Sequence, residues 1–313
     1  MAKTAFVFPG QGAQAVGMGK DIAMLDAAKR LFEAADEAVG YKLSDIIFEG
    51  PEAALKSTAN TQPALLTTSL AYLEAFRQAG GDKLAPDYVA GHSLGEWTAL
   101  AAAGALAPAE AARLVHLRGR YMEEAVPGGR GAMAAVLGAE RDALQALCDA
   151  VSAETGRVEL ANVNCPGQIV VSGTREGVEA VVARGKEAGA KRVIPLEVSG
   201  PFHSSLMQPA ADRLAELLGG TTLQAPSVPV VANVTADVVD DPARIRELLV
   251  RQVCAPVLWE DSVRKLIELG VDTFVEFGPG AVLSGLIKKT NKDVRIVTVN
   301  SAEAAQAAVP TLL

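Results

Sequence analysis

Tyr88-Val89-Ala90-Gly91-His92-Ser93-Leu94-Gly95-Glu96 decides how this chain is read. A short apolar run ends in Gly-x-Ser-x-Gly. Glu96-Trp97-Thr98-Ala99-Leu100-Ala101-Ala102-Ala103 then follows, rich in helix formers and with an acid in its first turn. Strand, sharp turn and helix make the setting of a nucleophile elbow. Glycines on both sides of the serine let the backbone reverse so tightly that its hydroxyl stands exposed at the head of the helix. The unbonded N–H groups of that first turn are placed to receive negative charge. Taken alone, the pentapeptide fits a plain Gly/Ser turn equally well, so its partners matter.

A serine nucleophile needs a base, and the chain offers three histidines: His92, His116 and His203. His92 adjoins the serine, where neighbouring elbow side chains diverge. His116 falls inside a helix expected over 109–124, a setting that suits a histidine on a helix face. His203 sits in Ser199-Gly200-Pro201-Phe202-His203-Ser204-Ser205, an irregular segment between an apolar run and a helix. That leaves His203 as the base. Among the acids between Ser93 and His203, none has the short loop context of a triad member. The arrangement therefore reads as a dyad, its imidazole oriented by some other group such as a backbone carbonyl.

A second glycine loop opens the chain. Thr4-Ala5-Phe6-Val7-Phe8 reads as a buried strand, followed by Pro9-Gly10-Gln11-Gly12-Ala13-Gln14. Gly10-x-Gly12-x-x-Ala15 matches a relaxed dinucleotide fingerprint, but that motif needs a second strand ending in an acid some way on. Here the chain continues from Asp21 to Val39 as an amphipathic helix. The loop instead fits an oxyanion hole, with the N–H of Gln11 joining that of Leu94.

Together, Pro9-Gly10-Gln11-Gly12, Gly91-His92-Ser93-Leu94-Gly95-Glu96, Arg118, Gly200-Pro201-Phe202-His203 and Gln252 resemble the malonyl-CoA:acyl carrier protein transacylase family. Phe274-Val275-Glu276-Phe277-Gly278-Pro279-Gly280 resembles that family's closing strand and glycine turn, so the likeness covers nearly the whole chain. It implies ping-pong transfer of a malonyl group from malonyl-CoA to the thiol of holo acyl carrier protein, through a malonyl-serine. It implies that Arg118 holds the malonyl carboxylate, a task suited to a planar guanidinium. The residues alone do not separate Arg118 from Arg113 or Arg120. The resemblance further implies that Gln252 lines the site and orients the histidine through its carbonyl, and that Phe202 favours malonyl over a branched malonyl group. His92 would also line the site. Asn162 and Asn164 alternate on a strand and so share one side, though as a strand-end pair they read equally well as turn residues. A methylmalonyl-type transacylase is the nearest competing reading, and a serine thioesterase or hydrolase and a non-catalytic CoA-ester or carrier-binding module are the competing classes. No metal and no bound cofactor is expected, the CoA ester being substrate, and a monomer is implied.

Composition frames these readings. A chain of 313 residues, 50% hydrophobic and only 4% aromatic, is long enough for one large domain or two smaller ones. No run approaches the roughly 18 apolar residues of a membrane span, and the start does not look like a signal peptide. Cys148, Cys165 and Cys254 have neither metal nor disulfide spacing, which suits the reduced cytosol. A net charge of −8 argues against nucleic acid. It also sits awkwardly with an acidic carrier, so docking calls for a local basic patch, with Lys191, Arg192, Lys288, Lys289 and Lys292 as candidates.

The expected fold class is α/β. Strand-like runs at 4–8, 87–91, 228–232, 273–277 and 294–298 alternate with helices, which predicts a hydrolase-like domain with a parallel sheet flanked by helices. Between Pro127 and Ser199 the rhythm changes. Strands at 132–137, 158–162, 168–172 and 192–198, with helices at 141–150 and 175–188, give the β-α-β-β-α-β order of a ferredoxin-like subdomain. The predicted boundaries are 1–126 with 199–313 for the larger domain and 127–198 for the insertion, with the active site in the cleft between them.

Overall fold

The computed structural model describes residues 3–313, a mixed α/β protein with two sheets and many helices. In chain order the strands are β1 Lys3–Phe8, β2 Tyr88–Gly91, β3 Gly131–Leu137, β4 Val158–Cys165, β5 Gln168–Thr174, β6 Arg192–Pro195, β7 Val230–Ala232, β8 Asp237–Val239, β9 Val257–Leu258, β10 Val271–Phe277 and β11 Arg295–Val299. Six of them form one sheet in the order β11-β10-β1-β2-β7-β8, parallel except for the β7–β8 edge pair. The other five form a second sheet in the order β6-β3-β5-β4-β9.

Period-2 alternation explains why helices cover both faces of the first sheet. In β1, Phe6 and Phe8 point into a core shared with the Thr58–Gln78 and Pro108–Glu124 helices. Ala5 and Val7 point into a separate core under Trp259, Val263, Leu283 and Ile287. The second sheet has its own core, built from Val136, Val163 and Val171 beneath Leu144, Leu147, Val151, Val178 and Val181. Two apolar faces on each central strand read in the sequence as unbroken apolar runs, and such runs mark the five parallel strands.

Several expectations needed correction. The first long helix spans Asp26–Val39 rather than starting at Asp21, since residues 21–25 form turns. The helix expected over 175–188 is α only to Arg184 and tightens to 3₁₀ over Gly185–Ala188. The strand expected to reach Val198 ends at Pro195, and only one further backbone bond, Leu196 N–H to the Met133 carbonyl at 2.9 Å, continues its pairing with β3. Residues 40–86, to which the sequence analysis assigns no elements, hold four helical segments, including the Thr58–Gln78 helix. The short strands β8 and β9 were likewise not anticipated.

The topology brings together the loops that matter. The turns after β1, β2 and β7 leave the carboxyl ends of neighbouring parallel strands, where α/β sheets gather their ligand sites.

Candidate active site

The elbow forms as its glycines require. A Cβ added at Gly91 would lie 2.0 Å from the Gly95 carbonyl carbon, and one at Gly95 would lie 2.0 Å from the Phe8 carbonyl oxygen. Helix, turn and β1 thus pack backbone to backbone. Between the two glycines Ser93 sits at φ 51, outside the ordinary range for a side-chain-bearing residue. The strain is held by the Asn233 side chain, whose Oδ1 accepts from the Ser93 N–H at 2.8 Å while its Nδ2 donates to the Gly91 carbonyl at 2.7 Å.

Ser93 Oγ lies 2.8 Å from His203 Nε2. On the other side of the ring, His203 Nδ1 lies 2.8 Å from the backbone carbonyl of Gln252. A carbonyl only accepts, so Nδ1 carries the proton, and Nε2 of the neutral ring is free to accept the serine hydroxyl. His203 is buried and itself sits at φ 57. Burial first, and the charge of Arg118 second, push its pKa down to about 3, so the imidazole is neutral and able to take a proton. His92 diverges from this pair: its Nε2 lies 2.7 Å from Asn164 Oδ1. His116 Nδ1 meets the Ala59 carbonyl at 2.9 Å, a helix-packing contact.

Arg118 is 1% exposed and projects from the Pro108–Glu124 helix towards the serine. It donates to Gln62 Oε1 at 2.7 Å, Gln252 Oε1 at 3.0 Å and Ser93 Oγ at 3.2 Å. Its Nε has no partner among the described residues. All three acceptors are neutral. Arg113 and Arg120, by contrast, pair with Glu110 and Glu124 on the outer face of the same helix. Burial lowers the Arg118 pKa to about 10, opposed by the charge of Glu96, so the guanidinium stays charged at neutral pH.

Gln252 ends the Pro242–Gln252 helix and is fully buried behind the serine, not on the cavity wall as expected. Its Nε2 lies within reach of Glu96 Oε2 (2.8 Å), Asn233 Oδ1 (3.1 Å) and the Ser93 carbonyl (3.1 Å). Glu96 also accepts the Asn233 N–H at 3.0 Å. Burial lifts the Glu96 pKa to about 7, against the pull of those two bonds and of Arg118.

A cavity of about 480 Å³ opens in front of the pair. Gly10, Gln11, Ser93 and Leu94 line its floor, Phe202 and His203 one side, and Asn162, Asn164 and Val170 of the second sheet another. Leu94 starts the Leu94–Ala102 helix, so its N–H has no intrahelical acceptor. Gln11 and Leu94 thus meet at the cavity from two separate loops. No group of three or more potential metal ligands occurs among the described residues, and no helix is long and apolar enough to cross a membrane.

Sequence reasoning missed three residues of this network: Gln62, Asn233 and the role of Glu96. Gln62 lies on the unassigned Thr58–Gln78 helix, and Asn233 sits in an ordinary-looking turn after β7. Only tertiary contact marks them.

This geometry has close relatives. The family model for the acyl transferase domain matches residues 5–312. A malonyl CoA-acyl carrier protein transacylase from Bacillus subtilis is 53% identical over 313 residues, covering 100% of this chain and 98% of that protein. The crystal structure of an acyl-carrier-protein S-malonyltransferase from Burkholderia pseudomallei superposes with a TM-score of 0.95 at 45% identity, over 98% of this chain and 99% of that one. A type II PKS acyl-carrier protein in complex with its malonyl-transacylase supplies another match, with a TM-score of 0.95 at 41% identity over 99% of this chain and 100% of that one. A match that starts in β1 and runs into the last helix leaves no layer of the fold outside it, and on that ground the chain belongs to the acyl transferase family.

Proposed function

We propose that the protein transfers the malonyl group of malonyl-CoA to the phosphopantetheine thiol of an acyl carrier protein, supplying extender units for fatty acid or polyketide synthesis. The observation that carries this reading is Arg118, a buried cation 3.2 Å from the candidate nucleophile whose acceptors are all neutral amides and a hydroxyl. Burying a charge without a counter-ion in contact is costly. A substrate bearing a carboxylate beside its thioester supplies that counter-ion, and a fork of two N–H donors suits it.

In this reading His203 takes the Ser93 proton, and Oγ attacks the thioester carbonyl. The Gln11 and Leu94 N–H groups hold the oxyanion, each worth roughly two to three powers of ten in rate. CoA leaves with the proton from His203, and the carrier thiol later attacks the malonyl-serine ester by the reverse path. The Gln252 carbonyl holds the tautomer that a triad acid would otherwise fix. Phe202, on the cavity wall, leaves little room for an α-branch.

The cavity lies between two units in this reading: a hydrolase-like domain of residues 1–126 and 199–313, and a ferredoxin-like subdomain of residues 127–198. The strand order β6-β3-β5-β4 and a separate apolar core support the second unit. The enzyme would work as a monomer in the cytosol, in keeping with three unpaired cysteines. The carrier would dock on a basic patch at one end of the second sheet. Leu137 there pairs with both Gln168 and Arg192, and Lys289 Nζ reaches Gln168 Oε1 at 3.4 Å.

Intact-protein mass spectrometry after brief exposure to malonyl-CoA, and then to holo carrier protein, tests the reading on wild type and Ser93→Ala. A malonyl adduct on wild type alone, passed on to the carrier, is the expected result. Release of free malonate and CoA at the same rate without a carrier would make it a hydrolase instead.

A further inference from the structure

Glu96 stands three residues after the nucleophile and is 2% exposed. Its carboxylate and the Arg118 guanidinium balance each other without touching, because the Gln252 amide stands between them. Arg118 donates to Gln252 Oε1, and Gln252 Nε2 donates to Glu96 Oε2. The amide cannot turn over, since a guanidinium only donates and a carboxylate only accepts. Both hydrogen bonds to Glu96 fall on Oε2, and no donor among the described residues reaches Oε1.

The other groups packed around Glu96 are neutral. The turn after β7 offers Asn233 and the Pro242–Gln252 helix offers Gln252, while Gln62 of the Thr58–Gln78 helix meets the far side of Arg118. His203 is neutral at pH 7, as is the buried His92, whose pKa burial lowers. Arg118 is the one charge acting on Glu96. When Glu96 is ionised, the resting set carries one positive and one negative charge. Loading a malonyl group adds a second carboxylate to the same guanidinium. Two carboxylates sharing one cation in a dry site do not both keep their charge.

We infer that Glu96 is a proton-accepting counter-charge to the substrate clamp: loading malonyl on Ser93 places a proton from solvent on Glu96 Oε1, and transfer to the carrier releases it. This rests on the malonyl-transfer reading. Acyl transfer itself is proton-neutral, because the Ser93 proton leaves on the CoA thiol and the carrier thiol returns one. Any net uptake therefore reports on the site. Glu96 is a positioning residue here, acting through Gln252 and Arg118. Its resting pKa of about 7 leaves it partly ionised at neutral pH and open to such a change.

The test is to acylate wild type with malonyl-CoA in weakly buffered solution, reading protons with an indicator dye and counting adducts by mass spectrometry. At pH 7 the expected uptake is on the order of half a proton per adduct, falling to near zero at pH 5.5, where Glu96 is already protonated. Glu96→Gln keeps the hydrogen bonds and removes the charge, and should form the adduct with no uptake. A full adduct without uptake at pH 7 overturns the inference, as does uptake that persists at pH 5.5. Uptake that survives in Glu96→Gln assigns the proton elsewhere and overturns it equally. No adduct at all in wild type would sink the malonyl reading itself, and this inference with it.

Discussion

Among the described residues, Arg118 is the one lysine or arginine that is buried, and its surroundings are organised by residues from three distant parts of the chain, Gln62, Ser93 and Gln252. Removing it tests whether those surroundings serve a substrate or only the fold. Arg118→Ala should lower malonyl transfer by roughly a hundredfold or more while sparing transfer of acetyl, which has no carboxylate to hold. Equal losses with both substrates would make the residue structural. Arg118→Lys should not restore malonyl transfer, since a single ammonium cannot reproduce the planar fork. His203 makes a separate prediction through pH. Its folded pKa of about 3 lies below the ordinary 6.5, so the neutral form is the native one. The unfolded chain then binds this proton more readily, and the stability the group contributes, full above 6.5, is lost as pH falls from there towards 3. For the same reason kcat/KM for malonyl-CoA should show no acid limb near 6.5. A limb at that value that persists in Glu96→Gln, where the group titrating near 7 is gone, would mean that His203 is not the desolvated base of the free enzyme.

At the scale of elements, the strand–turn–helix unit carries the chemistry, and its glycines carry the unit. Gly95→Ala would drive a Cβ against the Phe8 carbonyl, so helix and sheet must part. A loss of about 3 kcal/mol or more in unfolding free energy is expected, together with loss of the acyl-enzyme. Gly285→Ala is the matched control: that glycine lies within the exposed part of the Val282–Thr290 helix, and an added Cβ would meet nothing. It should gain up to about 1 kcal/mol. Chemical denaturation of both variants separates close backbone approach from general glycine effects. The elements also mark where sequence reading stops. The Thr58–Gln78 helix is buried on nearly every side and carries Pro63, so it has no polar stripe for a period of 3.6 to act on. A helix without amphipathicity looks like nothing in particular, and Gln62 was lost with it. The five parallel strands and the elbow helix were legible because turn glycines, apolar runs and strand length all agree there.

Over the whole molecule, net charge and local charge point in different directions. A chain of net −8 would need its cations gathered wherever an acidic partner docks. Arg192 and Lys289 come together at one end of the second sheet although nearly a hundred residues separate them in sequence. Charge reversal at Arg192 and Lys289 should raise KM for the carrier several-fold and leave KM for malonyl-CoA unchanged. Steady-state kinetics with each substrate varied in turn decides it, and equal changes in both constants would remove the patch from the docking surface. The local devices were set by sequence alone: a serine between two glycines after an apolar strand, a glycine loop after β1, a histidine in a Gly-Pro segment. Each depends on backbone sterics within a few residues, which the chain carries wherever it folds. What only the tertiary structure decided is the company those residues keep. The hydrogen bond from Ser93 to His203 spans 110 positions, that from Gln252 to the Ser93 carbonyl spans 159, and that from Arg118 to Gln252 spans 134. No local rule couples residues so far apart. Packing the helices on two faces of the first sheet brings them within 3.2 Å, and burial then fixes which of them is charged.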